Sequence, residues 1–363
     1  MKRLSVLQQE LKDKQIDYAL ISYPANVFYY TNFFTDPHER FMLLCLDVSS
    51  GEGTFFLPAL DQDAAKQASQ MDNIIPIKDT DDPLLIMKEI LPHLSGKVGI
   101  EGNHFSYNRL QAFQHTFDDL SFVNIEPLIE KQRLYKSEEE VQALKEAIHI
   151  IEKVLAEGIK RVKVGMTESE LVAELEYLMR LYGADGPSFG TIALSGKKAA
   201  LPHGVPDDKK IQAGELLLID FGVIKNGYCS DITRTFAVGE VDERTKDIYQ
   251  LVLEANEAGI AAAKVGHPLK NFDQAARDVI SRQGYGDYFT TRVGHGLGIE
   301  VHEKPSIHGE NESLAEKGLV FTIEPGIYKA NDIGVRIEDT LYINEKGETE
   351  VLTSFPKTLQ IIG

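Results

Sequence analysis

Apolar positions in the first third of the chain alternate between two periods. "DYALISY" and "FMLLCLDV" are short, dense apolar runs that predict strands, and "GKVGIEG" predicts another. Between them, "RLSVLQQELKDK" and "DPLLIMKEILPHL" repeat apolar residues every three or four positions and predict amphipathic helices. Strands alternating with helices predict a small α/β domain with a parallel or mixed sheet, over residues 1–128.

A different pattern begins at 129 and runs to 363. Ser137 followed by Glu140 forms a capping-box signature, and Val141, Leu144, Ile148, Ile151 and Leu155 then trace one helical stripe. Thr167 and Glu170 form a second capping box opening a helix to about Tyr182. From "SFGTIALSG" onward strands and turns dominate, interrupted by helices expected near 243–264 and 270–283. This half reads as α+β.

The stretch "ELLLIDFGVIKNGYCSDITRTF" predicts a hairpin carrying Asp220 and Asp231. A two-residue turn at Lys225-Asn226 sets them opposite each other, and one at Asn226-Gly227 makes them diagonal neighbours. Both registers place the carboxylates on one face, roughly 5–8 Å apart. Such a pair needs a proton, a bridging cation or, for one member, solvent or Arg234. Further candidates follow: His295 in "GHGLG", Glu324 at the end of an apolar strand in "TIEPGIY", and Glu338 within the apolar strand "VRIEDTLYI". Singly, each could be a capped turn, a satisfied core histidine or an ion pair with Arg336. Together they bury an excess of negative charge that costs several kcal/mol per unpaired group, and that two divalent cations would neutralise.

Composition narrows the functional classes. The formal net charge is -18, and no basic patch offsets it, so no nucleic-acid partner is expected. No apolar run reaches the ~18 residues of a membrane span, and "MKRLSVLQQELKDKQ" lacks the apolar core of a signal peptide. The 2 cysteines, Cys45 and Cys229, lie in strand-like segments and read as reduced core residues. The expectation is a soluble, cytoplasmic protein without membrane partners.

The texts "DFG", "SDITRTF", "GHGLGIEVHE", "TIEPGIY" and "VRIED", in that order, resemble the metallopeptidases of the pita-bread fold that include Xaa-Pro dipeptidase (prolidase) and aminopeptidase P. The N-terminal domain, with "NVFYYTNFF", resembles the creatinase-type domain of that branch. The resemblance implies an α+β pita-bread catalytic domain preceded by a smaller α/β domain. It implies that Asp220 binds one metal ion, that His295 and Glu324 bind a second, and that Asp231 and Glu338 bridge them. Glu324 would be the general base and proton shuttle, and a hydroxide between the ions the nucleophile. His203 in "LPHGVP" and His302 in "GIEVHE" would contact substrate and stabilise the tetrahedral intermediate. Arg336 could pair with an acidic ligand or bind a substrate carboxylate. One histidine among four carboxylates favours Mn²⁺, with Co²⁺ or Zn²⁺ as alternatives. Where resembled sequences carry a histidine four residues before the ligand histidine, this chain has the neutral Thr291. The substrate implied is a small peptide with proline second, most simply an Xaa-Pro dipeptide; longer peptides, as for aminopeptidase P, are the alternative. A metal-free, creatinase-like or binding role is disfavoured because all five ligand positions hold ligating residues. The resemblance also implies a homodimer, in which the polar loop bearing Asp36, His38, Glu39 and Arg40 closes over the partner's active site and restricts substrate length.

Overall fold

The computed structural model describes residues 2–363. The chain divides into two compact units, the first ending at Arg133 and the second spanning Leu134–Gly363. The division lies beyond the expected boundary after residue 128. The helix Glu126–Leu134 runs unbroken through that point and buries Ile129 and Arg133. Arg133 Nη1 donates to the buried Asn26 Oδ1 at 2.7 Å, which ties the helix to the first unit.

The first unit holds a six-stranded mixed sheet, in the order Asn73–Ile77, Gly53–Pro58, Leu43–Asp47, Tyr18–Ile21, Gly96–Ile100, Leu120–Asn124. Tyr18–Ile21 pairs antiparallel with Leu43–Asp47 and parallel with Gly96–Ile100, so the sheet is mixed, as the alternating pattern allows. Leu20, Cys45, Phe56, Val98 and Phe113 meet in its core. The first helix, Lys2–Asp13, buries Leu4, Leu7 and Leu11, the stripe its spacing predicts.

In the second unit both capping boxes form. Ser137 and Glu140 cap Glu138–Gly158, and Thr167 and Glu170 cap Glu168–Leu181. Each satisfies two amide groups that the first helical turn leaves without partners. The stripe Val141, Leu144, Ile148, Ile151, Leu155 is buried as expected. A four-stranded sheet orders Ile361–Ile362, Ile232–Val238, Glu215–Phe221, Ile192–Ser195. A five-stranded sheet orders Glu303–Ile307, Gly294–Gly296, Val320–Ile323, Asp339–Ile343, Thr349–Val351. Gly326–Lys329 and Ile333–Arg336 make a separate two-stranded ribbon. Helices Glu243–Ala262 and Lys270–Arg282 contribute Val252, Ala255, Phe272 and Ala276 to a core shared with Phe321, Ile323 and Leu341. Among the described residues, no helix is long and apolar enough to cross a membrane.

Candidate metal centre

The hairpin turns at Asn226-Gly227. Lys225 pairs with Tyr228, and the two turn residues take φ of 52° and 79°, the doubly left-handed pattern that suits Asn-Gly. On the longer strands Asp220 faces Thr233 and Phe221 faces Ile232, which continues the same register. Asp220 and Asp231 are therefore diagonal neighbours on one face. Both strands break beside Asp231, at Gly222 and at Ser230-Asp231. A Cβ on Gly222 would lie 1.9 Å from the Ser230 carbonyl oxygen, so only glycine lets the strands close here.

His295 lies on the short strand Gly294–Gly296, where the register slips between His295 and Gly296. Such a bulge re-aims a side chain locally. Gly294 permits this approach, because a Cβ there would sit 1.9 Å from the Thr322 carbonyl oxygen. Glu324 leaves the end of Val320–Ile323, just before Pro325. Glu338 differs from its expected place inside a continuous strand. The ribbon strand ends at Arg336 and the next strand starts at Asp339 in the five-stranded sheet, so Glu338 sits at the crossing between sheets. Its amide donates to the Thr233 carbonyl at 3.2 Å, which anchors the crossing to the hairpin.

These residues converge. One ligand atom each of Asp231, His295 and Glu338 lies within 4.8 Å of the others, and all three residues are buried. His295 Nε2 is 3.1 Å from Glu324 Oε1 and 3.6 Å from Asp231 Oδ2. Its Nδ1 lies 3.1 Å from the Gly296 carbonyl oxygen, which can only accept, so Nδ1 donates there and Nε2 is the nitrogen that faces the carboxylates. Asp231 Oδ1 and Glu338 Oε1 are buried with no hydrogen-bond partner. Burial, then the neighbouring carboxylates Glu338 and Asp220, holds the Asp231 carboxyl well above the usual range. Glu338 is displaced upward in the same way, by burial and then by Glu324 and Asp220. Burial also raises Asp220, against the opposing pull of Arg336. Burial would raise Glu324 too, but the hydrogen bond and charge of His295 outweigh it and keep Glu324 below the ordinary value. Lone pairs facing one another without donors are what a cation between them would satisfy, so the donor set fits divalent metal.

Arg336 pairs with Asp220, a candidate ligand. Nη2 bonds Asp220 Oδ2, Nη1 donates to Tyr328 Oη at 2.9 Å, and Nε donates to Thr233 Oγ1 at 3.0 Å. All three guanidinium nitrogens are thus engaged within the protein. Arg234 takes no part with Asp220 or Asp231; it pairs with Asp339 at 2.8 Å. The His302 ring lies edge-on to His295, with centroids 4.3 Å apart. Desolvation first, then the positive neighbours His295 and Arg292, push His302 down to about 4, so its imidazole is neutral near pH 7. His203 is exposed in a turn, near enough that its charge also depresses His302. The Thr291 hydroxyl is buried without a partner, while its carbonyl accepts from Arg277.

Several contributors escaped the sequence reading. Thr233 accepts from Arg336 and donates to Glu338 Oε2 at 2.8 Å, linking the guanidinium to a candidate ligand. Thr322 accepts the His295 amide at 3.1 Å and donates to Glu324 Oε1 at 3.3 Å. Asp273 pairs with Arg277 and accepts the Val293 amide at 3.1 Å, while Arg277 also donates to the Phe289 and Thr291 carbonyls. That ion pair braces the segment leading to His295, alongside the bond from the Val293 amide to the Ile307 carbonyl. The i,i+4 spacing of Asp273 and Arg277 was the signal available, but it reads equally well as a solvated surface pair.

Buried carboxylates around an imidazole nitrogen, on an α+β scaffold of linked sheets, form a site whose donors fit a divalent metal. Residues 142–345 match the model of metallopeptidase family M24, and residues 3–135 match the creatinase/prolidase N-terminal domain. The chain belongs to metallopeptidase family M24, with the pita-bread catalytic fold and the creatinase-type N-terminal domain. It is 38% identical over 357 residues to an uncharacterized peptidase of Staphylococcus aureus (strain bovine RF122 / ET3-1), covering 98% of this chain and 100% of that one. The prolidase from Pyrococcus furiosus shares 37% identity at a TM-score of 0.85, over 96% of this chain and 99% of that one. The X-Pro aminopeptidase from Thermotoga maritima MSB8 shares 33% identity at a TM-score of 0.89, over 96% and 98%.

Proposed function

We propose that this peptidase cleaves Xaa-Pro bonds, with Xaa-Pro dipeptides as substrates, using two divalent cations held by Asp220, Asp231, His295, Glu324 and Glu338. The observation that carries the reading is the pair of buried, partnerless oxygens on Asp231 and Glu338 beside His295 Nε2. When bound, divalent cations supply Lewis acidity that acidifies the attacking water and polarises the scissile carbonyl. Asp231 and Glu338, central in the cluster, would hold the cations together with Asp220, which Arg336 orients, and with His295 and Glu324. The oxygen-rich set favours Mn²⁺ over Co²⁺ or Zn²⁺.

Glu324 is the general base: it is ionised at neutral pH, lies at the less buried edge of the cluster and can take the water proton and deliver it to the leaving nitrogen. His302, neutral and against His295, and His203, exposed nearby, hydrogen-bond the substrate carbonyl or carboxylate. Arg336 orients Asp220 rather than binding substrate, since its nitrogens are already engaged.

The test is hydrolysis of an Xaa-Pro dipeptide against an Xaa-Pro-Yaa tripeptide, with Mn²⁺ and after chelation. The dipeptide should be the faster substrate and chelation should abolish turnover. Preference for the tripeptide would favour aminopeptidase P, a reading that the resemblance to the Thermotoga maritima enzyme keeps open. Activity that survives metal removal would overturn the metal reading. We further place the protein in the cytoplasm, consistent with its two buried free cysteines, as a homodimer. In that dimer the exposed Asp36, His38 and Glu39 restrict substrate length. A monomeric variant with the same preference for dipeptides would exclude this role.

A further inference from the structure

Asn256 is fully buried in the helix Glu243–Ala262, remote in sequence from every candidate ligand. Its Nδ2 donates to the Ile323 carbonyl at 3.0 Å and to the Ile337 carbonyl at 3.3 Å. Ile323 immediately precedes Glu324, and Ile337 immediately precedes Glu338. Lys357 Nζ donates to Asn256 Oδ1 at 2.9 Å. The orientation of the amide is forced by chemistry: two carbonyls can only accept and an ammonium can only donate, so nitrogen must face the former and oxygen the latter. One planar group thus spans the two chain segments that deliver one carboxylate each to the metal centre. Strand pairing fixes the two segments only as far as Ile323 opposite Asp339; Glu324 and Glu338 lie just beyond that last rung, outside both strands, where the Asn256 amide holds the backbone instead.

We propose that Asn256 is a positioning residue that fixes the separation of Glu324 and Glu338. Its two N–H groups lie a fixed distance apart on one planar nitrogen, so the carbonyls they hold cannot drift independently. The carboxylates follow, because each ligand begins at the next Cα. The inference rests on the proposed metal reading, but concerns the frame behind the ligands rather than the ligands.

Asn256→Asp preserves size and still accepts from Lys357, yet presents an acceptor edge to both carbonyls. Mn²⁺ titrated calorimetrically into metal-free protein should bind about 10- to 100-fold more weakly to this variant, the range typical when a group supporting metal ligands is lost. Asn256→Ser, which can donate to only one carbonyl, should fall between the variant and wild type, and it serves if the aspartate variant does not fold. Val252→Ala, in the same helix and also fully buried, is the control: it should lower Tm while leaving Mn²⁺ affinity within about twofold. Unchanged affinity in folded Asn256 variants would overturn the proposal. So would an equal loss in Val252→Ala, which would make the effect one of general stability. If wild type binds one ion rather than two, the two-metal reading fails, while the comparison of variants still decides the role of Asn256.

Discussion

Asp231 and Glu338 each keep one oxygen in a buried wall with nothing to bond it. Leaving such groups unpaired costs several kcal/mol, so the metal-free site is held together against its own charge. Asp231→Ala removes a proposed ligand, and should eliminate tight Mn²⁺ binding and turnover, by calorimetry and peptide assay. Cys229→Ala, two residues earlier, should leave both intact, because Cys229 Sγ faces the Ile299 carbonyl. Thr233→Val keeps the shape but deletes the link between Arg336 and Glu338. Its Mn²⁺ affinity should fall about 10-fold or more, with Tm the companion measurement. The candidate ligands stood out in the sequence because acidic side chains in apolar strands demand an explanation. Thr233, Thr322 and Asn256 were not, since a buried threonine or asparagine is an ordinary residue until its partners across sheets are known.

At the scale of elements, the hairpin works because two glycine-dependent features coincide. Asn226-Gly227 sets the register, and Gly222 lets the strands meet beside Asp231. Gly222→Ala would force a Cβ onto a backbone oxygen that cannot rotate away. The variant should lose both stability, seen as a large fall in Tm, and Mn²⁺ binding. The alternation of apolar residues showed the hairpin and the carboxylates' common face, and the structure selects the diagonal register. The crossing at Glu338 was hidden, because "VRIEDTLYI" is apolar throughout and nothing in it marks where one sheet ends and another begins. A second element-scale test concerns the ribbon turn at Asp332. Arg244 bonds Asp332 at 3.0 and 2.6 Å, and Lys329 pairs with it at 3.0 Å. Chiefly through the Arg244 hydrogen bond, its carboxyl is lowered from 3.8 to about 2. A depressed folded-state value means the stabilisation is present above about pH 4 and is lost as pH falls through about 2. These groups are partly exposed, so the effect should be about 1 kcal/mol. The Tm difference between wild type and Asp332→Asn should shrink toward zero across that window.

Across the whole molecule, the two units differ in how fully their order could be anticipated. The first follows a repeating strand–helix rhythm. In the second, sheets of different size meet, and the candidate ligands lie in or just beyond the last residues of short strands from more than one of them. Mass action then makes folding stability depend on metal: at a free Mn²⁺ concentration about 100 times Kd, each site should add about 2.7 kcal/mol. Thermal unfolding with and without chelator measures this directly. The origins of the candidate ligands give that coupling a further meaning. Asp220 comes from the four-stranded sheet, His295 from the five-stranded sheet, and Glu324 and Glu338 from the junctions with the ribbon. Cations seated among them would act as a clasp joining pieces far apart in the chain. Removing them should therefore speed amide hydrogen exchange at all of these strand ends together, rather than loosening a single loop.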